Sequence, residues 1–347
     1  MRSMKLAGVL AGLALVAAAC NTADDAPDFD PAEVLDEDEV LRGEGPDHDG
    51  DGDDAGDGDD AGDGDGAGAD GDDAGGEEEA AVGELPARIV SLSPTHTEML
   101  FAIGAGDQVV AVDEFSNYPP EAAAVASDLS GFMPNIEAIA AFEPDLVITE
   151  GTNPDLIEQL DSLDIPNWSG PAAMSFFDVF DQLEQLGAAT GNLAGAAEVV
   201  ASMQVEIDEI TASLPEFGRP LTYYHELDPT FFSITSDTFI GYVYGQLGLR
   251  SIADLAEGSG GQYPQLNAEF ILSADPDLIF QACTKYCGET AETMAARGGW
   301  SELSAIRNGL VIEVDDDVAS RWGPRIVDFY RQVAEAVVAV AELEATS

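Results

Sequence analysis

An α/β fold of two similar lobes, each built on a parallel sheet, follows from three features of the chain. The first is a phrase that occurs twice. Residues 135–148 read NIEAIAAFEPDLVI and residues 267–280 read NAEFILSADPDLIF. Their separation is too long for a solenoid repeat and suits a duplicated lobe of ordinary domain size. The second is the alternation of short apolar runs with amphipathic segments, which places helices over both faces of parallel sheets. The third is a long helical stretch, Leu193–Leu214, closed by Pro215 and lying between the two copies. The expected architecture is therefore two Rossmann-like lobes, residues 85–190 and 217–347, joined by one inter-lobe helix within residues 191–216.

Each element has its own signal. Arg88-Ile-Val-Ser-Leu-Ser93 is a buried-strand pattern broken by Pro94. Thr95-His-Thr-Glu98 opens a helix as a capping box, with Thr95 as N-cap and Glu98 reaching back. Met99, Leu100, Phe101 and Ile103 form its apolar face, and Gly104 stops it. Val109–Val112 is the next strand, followed by the aromatic turn Phe115-Ser-Asn-Tyr-Pro-Pro120. Each copy of the repeated phrase predicts a helix, a Pro-Asp turn and a buried strand. A helix over 156–163, a strand near Asn167-Trp168 and an amphipathic helix over 175–186 complete the first lobe. In the second lobe, Leu221–His225 predicts a strand and Phe239–Leu247 a helix. Then come the loop Gly258–Pro264, the second copy, a strand near Val311–Val314 and a helix from Pro324.

The two ends of the body are less regular. Arg2 and Lys5 precede an apolar run, Leu6–Ala19, that is too short to span a bilayer. Residues 1–20 are expected to be a lipoprotein signal peptide, with Cys20 lipidated at the end of Leu15-Val-Ala-Ala-Ala-Cys20. The plainer alternative, cleavage after an Ala-x-Ala site, leaves Cys20 incidental. Residues 21–84 are Asp, Gly and Ala of low complexity and predict a disordered acidic tether. Asp47-x-Asp49-x-Asp51-Gly52 mimics the start of a calcium loop, but the twelfth position is Gly58 rather than Glu. Charge remains acidic in the body, where Lys285 is the only lysine. That balance argues against nucleic acid or an anionic lipid surface as partner and suits a protein living in high salt. Cys283 and Cys287 share the loop Cys-Thr-Lys-Tyr-Cys and are expected to form a disulfide outside the cytoplasm.

Several of these motifs, taken in order, resemble one family. Arg88-Ile-Val-Ser-Leu-Ser-Pro-Thr-His-Thr-Glu98, Ser116-Asn-Tyr-Pro-Pro120, the repeated Glu-x-Ile…Pro-Asp-Leu phrase and Ser320-Arg-Trp-Gly-Pro-Arg-Ile326 are similar to the substrate-binding lipoproteins of vitamin B12 and iron-siderophore ABC importers. The resemblance covers about residues 86–342. It implies an extracytoplasmic, lipid-anchored and monomeric protein that delivers a small metal chelate to a permease dimer with its ATPase. It implies no resident cofactor, the cobalt corrinoid or iron complex being cargo, and no enzymatic activity. It also implies that Glu137 and Glu269, one per lobe, dock onto the permease. Read locally, both glutamates sit in the first turn of helices that Asn135 and Asn267 can cap.

Ligands of parallel α/β sheets sit beyond the carboxyl ends of the strands. In the first lobe this selects Ser93, Pro94, Thr95, His96, Phe115 and Tyr118, with Phe132 leading into the repeat. In the second lobe it selects His225, Glu226, Tyr263, Arg321 and Trp322. Aromatic residues suit a corrin, a porphyrin or catechol groups, although Phe132 and Trp322 equally suit core packing. Arg321 could meet a ligand anion or hold one of Asp315–Asp317. His96 and His225, the body's two histidines, would be the residues of the alternative readings: a heme importer's lipoprotein, or a metal-dependent enzyme or sensor. A metal centre would need more converging ligands, and no nucleophile elbow is present. The neighbourhood of Ser93 and Tyr118 gives the corrinoid a small lead over the siderophore.

Overall fold

The computed structural model describes residues 85–256 and 261–346. Cys20, the acidic stretch 21–84 with its Asp47–Gly52 motif, and residues 257–260 lie outside them.

The first sheet is five-stranded and parallel, with the order β3-β2-β1-β4-β5. Its strands are β1 (Ile89–Ser91), β2 (Val109–Asp113), β3 (Ala126–Leu129), β4 (Leu146–Thr149) and β5 (Asn167–Ser169). Helices α1 (Pro94–Ala102), α2 (Ile136–Ala140) and α3 (Pro154–Ser162) connect them. The central strands are apolar on both faces. Ile89 and Ile148 pack into one cluster, and Val90 and Val147 into a second cluster on the opposite face, as a pleated strand requires. The edge strands β3 and β5 read ASDL and NWS, so polar residues stand where only one neighbour exists.

Helices α4 (Phe176–Thr190) and α5 (Leu193–Ala212) follow in the chain. They approach closely at Gly187, where an added Cβ would stand 2.6 Å from the side chain of Ala196. α5 stands where the inter-lobe helix was expected, and α4 before it is the amphipathic helix expected at the end of the first lobe; the capping box that opens α4 is formed by Ser175 and Asp178.

The second sheet is four-stranded and parallel, ordered β7-β6-β8-β9. It comprises β6 (Leu221–Glu226), β7 (Leu249–Ser251), β8 (Leu278–Gln281) and β9 (Val311–Glu313). Helices α6 (Phe239–Gln246), α7 (Ala268–Ala274), α8 (Ala291–Ala295), α9 (Ser304–Arg307) and α10 (Ile326–Thr346) surround it.

The repeated phrase is repeated in three dimensions. Asn135 accepts from the amides of Glu137 and Ala138 at the head of α2, and Asn267 accepts from Phe270 at the head of α7. Equivalent residues, Glu143 and Asp275, take left-handed backbone angles of φ 48° and 44° before the Pro-Asp turn. The aspartate after each proline then ties down the strand next door: Asp145 accepts from Ala87 N and Asp277 from Thr222 N, both at 2.8 Å. β4 pairs with β1 and β8 with β6, so the duplicated unit fills the same place in each sheet.

One continuous apolar cluster takes residues from both sheets and from α4, α5, α6 and α10. Phe176 of α4 is its hub across the lobes. Its ring lies 5.5 Å from those of Tyr242 and Tyr330 and 6.2 Å from Phe239.

Candidate functional site

The start of α1 differs from the capping box expected at Thr95. Ser93, in extended conformation, is the N-cap; its hydroxyl accepts from His96 N, and Pro94 occupies the first helical turn. Thr95 is buried, and Glu98 does not reach back. The Glu98 carboxylate instead enters an ion cluster with the second lobe, where it meets Arg321 at 2.8 Å and Arg325 at 2.5 Å. The sequence pattern of a capping box was satisfied, but two arginines offered Glu98 stronger, charge-assisted bonds than a backbone amide.

Around this cluster the lobes are laced together. Arg321 also donates to Asn117 Oδ1 (2.9 Å) and to the carbonyl of Phe115 (3.1 Å), and it pairs with Asp317 at 3.1 Å. Asn117 donates to Asp317 at 2.9 Å. Arg321 therefore holds one of the three aspartates and the first lobe at once. Asp317 further accepts from Tyr286 Oη (2.9 Å) and pairs with Lys285. Lys285 and Tyr286 ride on the loop closed by the Cys283–Cys287 disulfide, whose Cα atoms are 5.1 Å apart. Asp316 fixes that loop by accepting from the amides of Thr284, Lys285 and Tyr286. Despite burial, these cations and hydrogen bonds hold Asp317 below the usual carboxylate range.

His96 is fully buried. Its Nδ1 is 2.8 Å from Ser93 Oγ and its Nε2 3.0 Å from Gln182 Oε1. The amide of Gln182 is oriented by donating to Pro171 O (2.7 Å) and accepting from Trp322 Nε1 (3.0 Å). Its Oε1 only accepts, so His96 Nε2 carries the proton and Nδ1 accepts from Ser93. Burial lowers the His96 pKa to about 4, so the ring is neutral. Glu150 Oε1 lies 3.0 Å from Ser93 Oγ as a second acceptor for that hydroxyl, so the imidazole and the carboxylate share its one proton. Burial raises the Glu150 pKa above the usual carboxylate range, against the opposing hydrogen bond from Ser93. Trp168 and Trp322 face the imidazole edge-on at 5.0 and 6.0 Å. Gly170 makes the room: a Cβ there would stand 2.3 Å from His96 Nε2.

In the second lobe His225 and Glu226, expected at the cleft, are core residues. His225 Nδ1 is bonded with Tyr244 Oη (2.8 Å), and burial depresses its pKa to about 3. Glu226 is gripped by Arg297 at 2.6 and 2.7 Å and accepts from Gln281 and Tyr224. Arg297, from the turn after α8, thus caps the carboxyl end of β6. Neither His96 nor His225 offers a free face to a metal or a heme, because each imidazole is enclosed within its own packing. Among the described residues no group of three or more His, Cys, Asp or Glu is placed to hold a metal ion.

Of the remaining predicted residues, Pro94 and Trp322 are half-buried and Phe115, Tyr118, Phe132 and Tyr263 are exposed. Phe132 is 70% and Phe115 40% accessible, and their rings meet edge-to-face at 5.7 Å. Met133 beside them and Tyr263 and Tyr286 in the second lobe are also exposed. Tyr118 lies elsewhere. Its ring stacks on Arg325 at 4.0 Å and borders a groove of about 500 Å³ with Phe101, Pro119 and Asp328. Sequence reasoning missed Asp113, Asn117, Glu150 and Gln182. Asp113 and Glu150 could have been found by the strand-end rule that selected Ser93, whereas Gln182 carries no sequence signal because it sits mid-helix in α4.

Glu137 and Glu269 are exposed, each in the first turn of its helix, and make no side-chain bond to another described residue.

A family model described as "Periplasmic binding protein" matches residues 89–318. A *Bacillus subtilis* protein named as an uncharacterized ABC transporter substrate-binding lipoprotein is 29% identical over 73% of this chain and 80% of its own. A cobalamin-binding protein of *Halobacterium salinarum* is 30% identical over 72% of this chain and 69% of its own. The crystal structure of the vitamin B12 binding protein of *Vibrio cholerae* superposes with a TM-score of 0.60 at 26% identity, covering 74% of this chain and 98% of that one. A heme binding protein of *Vibrio cholerae* shares the fold at a TM-score of 0.63 and 21% identity, covering 72% and 97%. With both lobes spanned by the family model and the same two-sheet architecture in its relatives, this chain belongs to the periplasmic binding protein family.

Proposed function

We propose that the protein is the lipid-anchored, monomeric substrate-binding component of an ABC importer. It captures a corrinoid between its lobes and hands it to a permease dimer with its ATPase. The observation that carries the reading is the cleft edge itself. Exposed Phe115 and Phe132 offer an apolar, flat-ligand surface beside the carboxyl ends of β1, β2 and β4. The 30% identity to a cobalamin-binding protein supports a corrin as the flat ligand. Ser93, Thr95 and His96 support the site from within the packing, while Pro94, Tyr263, Arg321 and Trp322 frame it. Cys20 is the lipid attachment point and Glu137 with Glu269 the docking pair.

The protein acts by capture and release, without chemistry on the cargo. Ser93, whose hydroxyl lies beside His96, is fully buried and shared between His96 and Glu150. A titration of the full chain with cyanocobalamin tests the reading. One site per chain is expected, with binding weakened about tenfold or more in Phe115→Ala and Phe132→Ala, a loss of roughly 1.4 kcal/mol or more. Binding of a ferric siderophore in its place, unaffected by those changes, would replace the corrinoid.

A further inference from the structure

Two carboxyl groups stand at the carboxyl edge of the first sheet with hydrogen-bonding capacity unused. Asp113 ends β2 and is only 2% exposed, yet its Oδ1 has no hydrogen-bond partner. Glu150 follows β4 and spends one oxygen on Ser93. Because β2 and β4 both flank β1, the two carboxyls straddle the exit of β1 at Leu92–Ser93. Gly131 covers that exit so closely that a Cβ there would stand 2.4 Å from Leu92 O and 3.0 Å from Asp113 Oδ2. Glu150, Leu92 and Gly131 together line a small hollow at this edge. Phe115 and Phe132, the exposed aromatic pair, follow Asp113 and Gly131 in the chain.

A buried carboxyl oxygen without a partner calls for a donor. The cations nearby do not supply one, since Arg321 and Arg325 are paired with Glu98 and Lys285 with Asp317. A ligand arriving here meets spare acceptors and cations already engaged. An anionic rim, such as carboxylates on a macrocycle, would be repelled by Asp113, whereas uncharged amide N–H groups would satisfy it.

We propose that Asp113 and Glu150 form a subsite for uncharged amide donors. Through it the cleft selects a corrin whose rim is amidated over the same ring bearing carboxylates, and over heme with its propionates. This rests on the corrinoid reading and names the feature of the corrinoid that is recognised.

The test compares two ligands that share one ring. Dicyanocobinamide carries amides around the corrin, and dicyanocobyrinic acid carries carboxylates in their place. The full native chain is expected to bind the amide form about tenfold or more tightly than the acid form. Asp113→Asn, which removes the charge and keeps the shape, is expected to bring the two within about threefold. Glu150→Gln serves as the second variant should Asp113→Asn fail to fold, and it is expected to narrow the preference in the same direction. Equal binding of both ligands by the native chain would overturn the subsite while leaving the corrinoid reading intact. So would an undiminished preference in folded Asp113→Asn or, where that variant does not fold, in Glu150→Gln. Binding of neither corrin, or tight binding of heme instead, would overturn both.

Discussion

The buried histidines set the residue scale. His96 and His225 have folded pKa values depressed to about 4 and about 3 from an ordinary 6.5, both through burial. The unfolded chain therefore binds more protons below pH 6.5, and the folded state loses stability as pH falls through that window. For His96 alone the loss between about pH 6.5 and about pH 4 is on the order of 3 kcal/mol. Urea midpoints across this range should fall in the native chain and fall less steeply in His225→Gln; parallel curves would show that His225 does not titrate as described. Glu98 is the buried partner of two arginines. Glu98→Gln leaves both cations under-compensated and is expected to cost about 3–5 kcal/mol, read as a shift in denaturation midpoint. Both roles were hidden in the sequence. His96 looked like a cleft ligand because it follows a strand, and Glu98 like a capping residue because it stands three after Thr95. The groups that reassign them, Gln182 and Arg325, are 86 and 227 residues away in the chain.

Elements were far more legible than side-chain roles. The repeated phrase placed α2–β4 and α7–β8 correctly, because apolar periodicity and a Pro-Asp turn are local signals. The short strands β3 and β7 escaped notice, since ASDL and LRS lack alternation and are strands only because a neighbour offers its edge. The duplication also carries a functional prediction. Glu137 and Glu269 hold the same position in the two copies and make no side-chain bond to another described residue. The double change Glu137→Ala, Glu269→Ala should abolish uptake in cells while ligand affinity measured on the purified protein stays unchanged. A fall in affinity would move these residues from docking to binding. The neighbouring cap is separable: Asn135→Ala is expected to cost about 1 kcal/mol of stability without a transport defect of its own.

At the scale of the whole molecule, the two lobes are not free to swing apart. They share one apolar cluster through α4, α5 and α10, and the Glu98–Arg321–Arg325 and Asn117–Asp317 contacts bridge them on the polar side. Opening would expose Phe176 and its ring partners, so ligand capture is expected to proceed by small adjustment of the rim. Small-angle scattering should accordingly show little change in radius of gyration on ligand addition. Charge adds a condition. A chain with 68 acidic and 12 basic residues repels itself, and salt screens that repulsion. Thermal stability is expected to rise with salt; a flat response would show that the surface charges are too dispersed to matter.

The central claim, that the cleft takes a corrinoid, is tested most directly by native mass spectrometry of the protein in one competition. The mixture would hold cyanocobalamin, heme, a hydroxamate ferric siderophore and a catecholate ferric siderophore. A single retained cyanocobalamin per chain is the predicted result. Retention of heme or of an iron complex, with the cobalamin left free, would contradict it.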